Sequence, residues 1–225
     1  MRIEIKYQPS YSLAVVSLAP NEAIQAESGA MVSMSSNLVP ETSMKGGLMG
    51  ALRRKVLGGE SLFVNTYRAE GGEAELALAP SLPGDIAHIQ LKGETLFIQS
   101  ASFLAGDPAI ELDTAWGGAR SFFGGEGLFL LKAQGSGDLL VSSYGAIHRV
   151  EVPAGKPYIC DTGHVVAFSQ GLEFSVRKFG NWKSAVLGGE GLVCEFSGQG
   201  NLYIQTRNTQ AFLSWLLARL PPRTS

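Results

Sequence analysis

The run Leu57-Gly58-Gly59-Glu60-Ser61-Leu62 returns as Phe123-Gly124-Gly125-Glu126-Gly127-Leu128 and again as Leu187-Gly188-Gly189-Glu190-Gly191-Leu192, spaced 66 (124−58) and 64 (188−124) residues apart. One turn design set three times at nearly even spacing implies a threefold internal repeat of a β unit whose faces stack on one another. Two further landmarks keep the same order around it. Before the turn, an apolar pair enters a small polar step at Ala26–Val32, Ile98–Leu104 and Cys160–Val166. After it, a glycine-rich reversal enters another strand at Ala69–Leu76, Ala133–Leu140 and Ser197–Ile204. The repeats are placed near 1–80, 81–155 and 156–207, with Pro80, Pro83, Pro153 and Pro157 at the joints.

Between glycines lie segments of strand length, including Leu62–Tyr67, Leu128–Lys132 and Leu192–Phe196, which read as hairpins. Met1–Lys6 alternates charge and apolar residues at period two and reads as a first strand rather than a secretion signal. The chain has 225 residues, of which 45% are hydrophobic, enough for a substantial core in one fused body over 1–225. No stretch approaches about 18 uninterrupted apolar residues, so no bilayer-spanning helix is expected and the chain reads as cytoplasmic or peripheral at the inner face of the membrane.

After the third repeat the period changes. Phe212, Leu213, Leu216, Leu217 and Leu220 share a face at helical spacing, from a cap at Asn208 or Thr209 to the stop at Pro221-Pro222. One amphipathic helix over 209–220 is expected, packed within the protein or across a neighbouring subunit, where it can cover an open sheet edge.

No catalytic constellation emerges, so the chain reads as a non-enzyme with no cofactor and no metal. Glu60, Glu126 and Glu190 would gather three carboxylates around a pseudo-axis, a set that suits hard cations. Carboxylates accepting hydrogen bonds from their own glycine turns account for them without a ligand, and Gly58, Gly59, Gly124, Gly125, Gly188 and Gly189 then serve as structural turn residues. His88, His148 and His164 are scattered without a second ligand at metal-site spacing. Cys160 and Cys194 sit in apolar runs, where thiols serve as small hydrophobes; whether they pair is open in the sequence. The Gly-x-Gly runs open hairpins rather than helices, which argues against phosphate and dinucleotide loops.

The densest basic run, Arg53-Arg54-Lys55 beside Leu48, Met49 and Leu52, suits an anionic membrane surface or an acidic partner. The competing reading is a long hairpin loop whose apolar residues cover the next repeat while its cations stay solvated. Trp116 with Arg120 and Trp182 with Lys183 have the types for stacking on single-stranded nucleic acid, but a formal net charge of −2 supplies no field to gather polyanions, and nucleic acid is not expected as a partner.

Ser28–Val32, then Lys45-Gly46-Gly47-Leu48-Met49-Gly50-Ala51-Leu52-Arg53-Arg54, then Gly58-Gly59-Glu60-Ser61-Leu62-Phe63 resemble the altered inheritance of mitochondria protein 24 family, over nearly the whole chain. The resemblance implies an all-β fold like the trp RNA-binding attenuation protein: three tandem repeats of a short double-stranded β-helix unit, assembling as closed homotrimers. Eukaryotic members are tied to the mitochondrial inner membrane; this chain, without an Arg- and Ser-rich leader, looks like a bacterial member. Tryptophan and RNA binding do not transfer, because a shared fold does not specify a site. The expectation is a self-associating scaffold or peripheral membrane organiser. The alternatives are a small-molecule or lipid binding module with its site between repeats or subunits, and a metal-dependent enzyme in a β-helix pocket.

Overall fold

In the computed structural model, residues 1–40, 53–57, 60–114, 130–178 and 192–221 are described. The chain is predominantly β with a single C-terminal helix among those residues. The first strands are β1 (Arg2–Lys6), β2 (Leu13–Leu18), β3 (Ala23–Glu27), β4 (Met31–Met34), β5 (Leu38–Pro40), β6 (Arg53–Leu57), β7 (Glu60–Ala69) and β8 (Ala74–Leu78). Then come β9 (Ile86–Gln99), β10 (Phe103–Gly106), β11 (Glu111–Thr114) and β12 (Leu130–Ser142). The last are β13 (Ile147–Val152), β14 (Tyr158–Asp161), β15 (Val165–Ser169), β16 (Leu172–Lys178), β17 (Leu192–Gly198) and β18 (Gly200–Gln205), followed by helix α1 (Thr209–Leu217).

Alternation decides which face each strand buries. In β2, Ala14, Val16 and Leu18 are buried and the residues between them are half-exposed, as period two requires. Antiparallel pairs build the sheets: β2 with β8, β4 with β8, β3 with β7 and β5 with β7. In the middle of the chain β12 pairs with β9, β10 and β11. Towards the end β13 and β15 pair with β18, and β14 and β16 with β17. Two further pairings stitch these groups together, β10 onto β3 and β15 onto β9.

The long β9–β12 ladder shifts register between Gln134 and Ser136. Gly135 makes the shift: its φ is +142°, and a Cβ there would meet the Ala109 carbonyl oxygen at 2.4 Å. Among the described residues burial divides into three apolar clusters. The first centres on Val16, Ile24, Leu76 and Leu78, the second on Ile98, Phe103, Leu131 and Val141, and the third on Phe168, Cys194, Phe196 and Leu202.

The loops entering β2, β9 and β13 run side by side. Gly84 bridges Gly145 in parallel, and the Ser12 amide donates to the Gly84 carbonyl at 3.0 Å. Asp85, nearly buried, ties them together. Its Oδ1 accepts from Gln8 Nε2 and Ser12 Oγ, both at 3.0 Å, and from the Ile86 amide at 2.9 Å, while its Oδ2 faces the Ile147 amide at 3.5 Å.

Helix α1 starts where expected. Asn208 Oδ1 accepts from the amides of Gln210 and Ala211 at 2.8 and 3.2 Å, satisfying two of the helix's unpaired donors. The expectation of a helix to residue 220 is corrected: α1 ends at Leu217, and Arg219 and Leu220 close tighter turns onto Leu216 and Leu217. Pro221 disfavours helical backbone at the residue before it, which explains the early stop. The helix meets its own chain along one side only: the Phe212 ring lies edge-on to Tyr144 with centroids 5.9 Å apart and Leu213 lines a cavity of the β body, while no residue of α1 is buried and Trp215 and Leu217 stay open to solvent.

Candidate functional site

Two sheet edges stand out. β4 ends the β1-β2-β8-β4 sheet and β14 ends the β14-β17-β16 sheet, each with one outer side unpaired among the described residues. Their side chains are apolar and open to solvent: Met31 is 41% exposed, Val32 58%, Met34 42% and Ile159 46%. The same chain shows such strands in another condition. β10 lies between β12 and β3 and is buried along its length, and β15 lies between β18 and β9 with only Ser169 half-exposed. All three of β4, β10 and β15 carry a bulge at one place, between Met31 and Ser33, Phe103 and Ala105, and Val165 and Ala167. An open, flat, apolar edge is a template for another strand.

A cavity of about 350 Å³ opens where the corner after β3, the 3-10 turn after β9 (Ser100–Ser102) and the start of α1 converge. Glu27, Leu82, Gln99, Tyr144, Gln205 and Leu213 are among its lining residues. Several polar groups of the wall are committed to the protein. Gln205 Nε2 donates to the Gly163 carbonyl and its Oε1 accepts from the Tyr144 amide, both at 2.9 Å. Asn208 Oδ1 caps α1, and Gln99 Oε1 accepts from Ser102 Oγ at 3.2 Å.

The Glu27 carboxyl, the charged group of this wall, has no hydrogen-bond or ion-pair partner among the described residues. Burial pushes it up from the ordinary 4.5 to about 7. Between those pH values the folded chain holds a proton that the unfolded chain has released, so stability declines as pH rises through the window, and the full cost is present above pH of about 7. Glu27→Gln should therefore raise stability at pH 8 by about 1–2 kcal/mol, discounted for partial exposure, and leave it nearly unchanged at pH 4. Urea unfolding at the two pH values measures the difference; equal effects at both would contradict the assignment.

Other titratable groups are spent on structure. Cys160 and Cys194 stand opposite one another across β14 and β17 as free, buried thiols. Burial, with Asp161 adding to it, pushes the Cys160 thiol up to about 12, and burial raises Cys194 as well, so neither is a ready thiolate. His88 Nε2 pairs with Asp138 at 2.7 Å on the surface, and His164 Nδ1 contacts the Gln205 carbonyl oxygen at 2.6 Å. Among the described residues no group of three metal-ligating side chains occurs, and no helix is long and apolar enough to cross a membrane.

Several residues singled out from sequence lie outside the described residues: Leu48, Met49, Leu52, Gly58, Gly59, Trp116, Gly124, Gly125, Glu126, Trp182, Gly188, Gly189 and Glu190. Arg53, Arg54 and Lys55 form backbone pairs with Val64, Phe63 and Leu62 in the β6–β7 hairpin, and Glu60 opens β7 opposite Leu57. The cavity and the two edges were missed. A signal for Glu27 was present: with Gln99 and Asp161 it holds one position in the landmark before the turn, polar all three times.

The family model described as mitochondrial biogenesis AIM24 matches residues 3–207 of this chain. An uncharacterized protein of Streptococcus pyogenes serotype M6 is 31% identical over 229 residues, covering 98% of this chain and 92% of that one. The X-ray crystal structure of a Streptococcus pyogenes structural-genomics target superposes with a TM-score of 0.81 at 29% identity, over 97% of this chain and 99% of the other.

Proposed function

This chain belongs to the mitochondrial biogenesis AIM24 family, and within it we propose a non-enzymatic scaffold that self-associates by joining the β4 edge of one copy to the β14 edge of the next. The observation that carries the proposal is that both edges have built counterparts inside the chain. Where β10 meets β3, Ala105 stands opposite Ala26, and where β15 meets β9, Ala167 stands opposite Ile98. Reading the chain as three repeats, Ser33 corresponds to Ala105 and Ala167, and Cys160 to Ala26 and Ile98. The pairings within each repeat support that reading, since β2·β8, the outer half of β9·β12 and β13·β18 occupy equivalent places.

The intermolecular register follows: Ser33 opposite Cys160 of the next copy, and Met34 opposite Ile159. The corresponding pair inside the chain is Phe168 opposite Phe97, whose rings lie 5.2 Å apart. Two exposed apolar side chains would thereby be covered in each joint. A joint between different edges is heterologous, and it closes as a ring when the rotation permits; a trimer is the count expected from the family resemblance. An anionic surface as a second partner rests on the Arg53-Arg54-Lys55 sequence alone.

Native mass spectrometry and light scattering test the joint. The parent should be a closed oligomer, whereas Met34→Lys and Ile159→Glu, each on an exposed position, should be folded monomers. Combining both substitutions in one chain puts opposite charges face to face in the proposed register and should restore the oligomer. A monomeric parent, or a double variant no more associated than either single one, would overturn the proposal.

A further inference from the structure

We propose that the cavity at the Glu27 corner is a binding site for a small organic monoammonium compound, its nitrogen on the Glu27 carboxylate and its apolar part against Leu82, Tyr144 and Leu213. The inference starts from an imbalance. The wall amides of Gln205 and Asn208 already bond to the protein, while one half-buried carboxyl lines the space without a partner among the described residues. Partly desolvated carboxylates gain most from a cation that brings its own hydrogen-bond donors.

Charge and size set the ligand class. Among the described residues Glu27 is the one charged residue of the lining, so a single positive charge is matched and a polyamine is not. A volume of about 350 Å³ falls at the small end of metabolite pockets, and the leucines and Tyr144 ring favour a short apolar body over a sugar. Three bound divalent-metal ligands are not available here, because no cluster of His, Cys, Asp and Glu accompanies Glu27 among the described residues.

Binding should depend on pH in a defined direction. A protonated Glu27 presents no charge to the ammonium group, so affinity should fall on going from pH 8 to pH 6. Other titratable groups on the surrounding elements are Tyr144, before β13, and Asp161 and His164, on either side of the turn after β14. Asp161 Oδ1 accepts from the Gly163 amide at 2.9 Å and lies 3.4 Å from Asn208 Nδ2, and His164 is held at the Gln205 carbonyl. The strand opposite Glu27 presents Val64 at its register position.

The site is independent of the self-association reading, and measuring both the parent and the Met34→Lys chain keeps the two apart. Isothermal titration with ethylamine, butylamine and phenethylamine, beside 2-phenylethanol as the uncharged isostere of the last, supplies the test. At pH 8 at least one amine should bind saturably, one per chain, and the alcohol about tenfold or more weakly. Glu27→Gln, which places at this corner the residue that Gln99 already provides after β9, should weaken that amine about tenfold and remove the pH dependence. A thermal melt confirms that this variant is folded. No saturable amine binding, equal binding of amine and alcohol, or undiminished affinity in the folded Glu27→Gln chain would each overturn the proposal.

Discussion

Phe168→Ala should lower the stability of the folded chain by about 3–5 kcal/mol, the range for deleting a fully buried aromatic ring. Phe168 is 0% exposed, and its ring lies 5.2 Å from Phe97, 5.3 Å from Phe174 and 5.2 Å from Phe196. Three aromatic neighbours converge on one side chain, so its removal leaves a void that no single rotamer change can fill. Position on the backbone adds to the effect. β15 pairs with β18 on one side and β9 on the other, and Phe168 stands opposite both Leu202 and Phe97. The third apolar cluster and the joint between β15 and β9 therefore depend on the same ring. Phe174→Ala, at a half-buried position of the same cluster, should cost clearly less. Urea unfolding of the two variants gives the comparison, and a Phe168→Ala loss below about 1 kcal/mol would contradict the packing described.

Asp85→Ala should cost about 2–4 kcal/mol through a different mechanism, the orphaning of buried donors. Ser12 is 2% exposed and its hydroxyl donates to Asp85 Oδ1, as do Gln8 Nε2 and the Ile86 amide. Alanine offers none of them an acceptor: the buried Ser12 hydroxyl and the Ile86 amide lose theirs, while Gln8 Nε2 keeps the Ile86 carbonyl at 3.0 Å. Asp85→Asn keeps one side-chain oxygen and should lose less. The more telling readout is local: the loops entering β2, β9 and β13 meet at this carboxylate, so amide exchange should accelerate together at Ser12, Ile86 and Gly145. Acceleration confined to Ile86 would show that the carboxylate serves only its own loop.

What could be read from the sequence were features that a short window decides. β1 was visible in the alternation of Met1–Lys6, and the start of α1 in Asn208, because period and capping are local properties. The landmark before each Gly-Gly-Glu turn falls on a strand, turn and strand corner in all three places: β3 to β4, β9 to β10, and β14 to β15. The exposure of Met31, Val32 and Met34 was not legible. An apolar run of that kind reads as core, and only the pairing of β4 on one side and not the other decides otherwise. The surroundings of α1 were not legible either, since periodicity says which residues share a face and not what the face meets. Glu27 was hidden because a glutamate beside a turn looks solvated until distant segments, around Leu82, Tyr144 and Leu213, close around it.

The stitching of β10 onto β3, and of β15 onto β9, also sets an order of events as the chain is made. The ladders β1-β2-β8-β4 and β3-β7 use nothing beyond Leu78, so the leading part of a nascent chain can complete them while the remainder is still being translated. One open side on β3 then waits for Phe103–Gly106 to emerge, and one on β9 waits for Val165–Ser169. Each newly made segment thus protects the hydrogen-bonding edge left by the one before it. The outer side of β14 stays open even after β17 has paired with the strand, because no later strand among the described residues covers it; in the proposed joint its protection would pass from the ribosome's pace to the concentration of other finished chains.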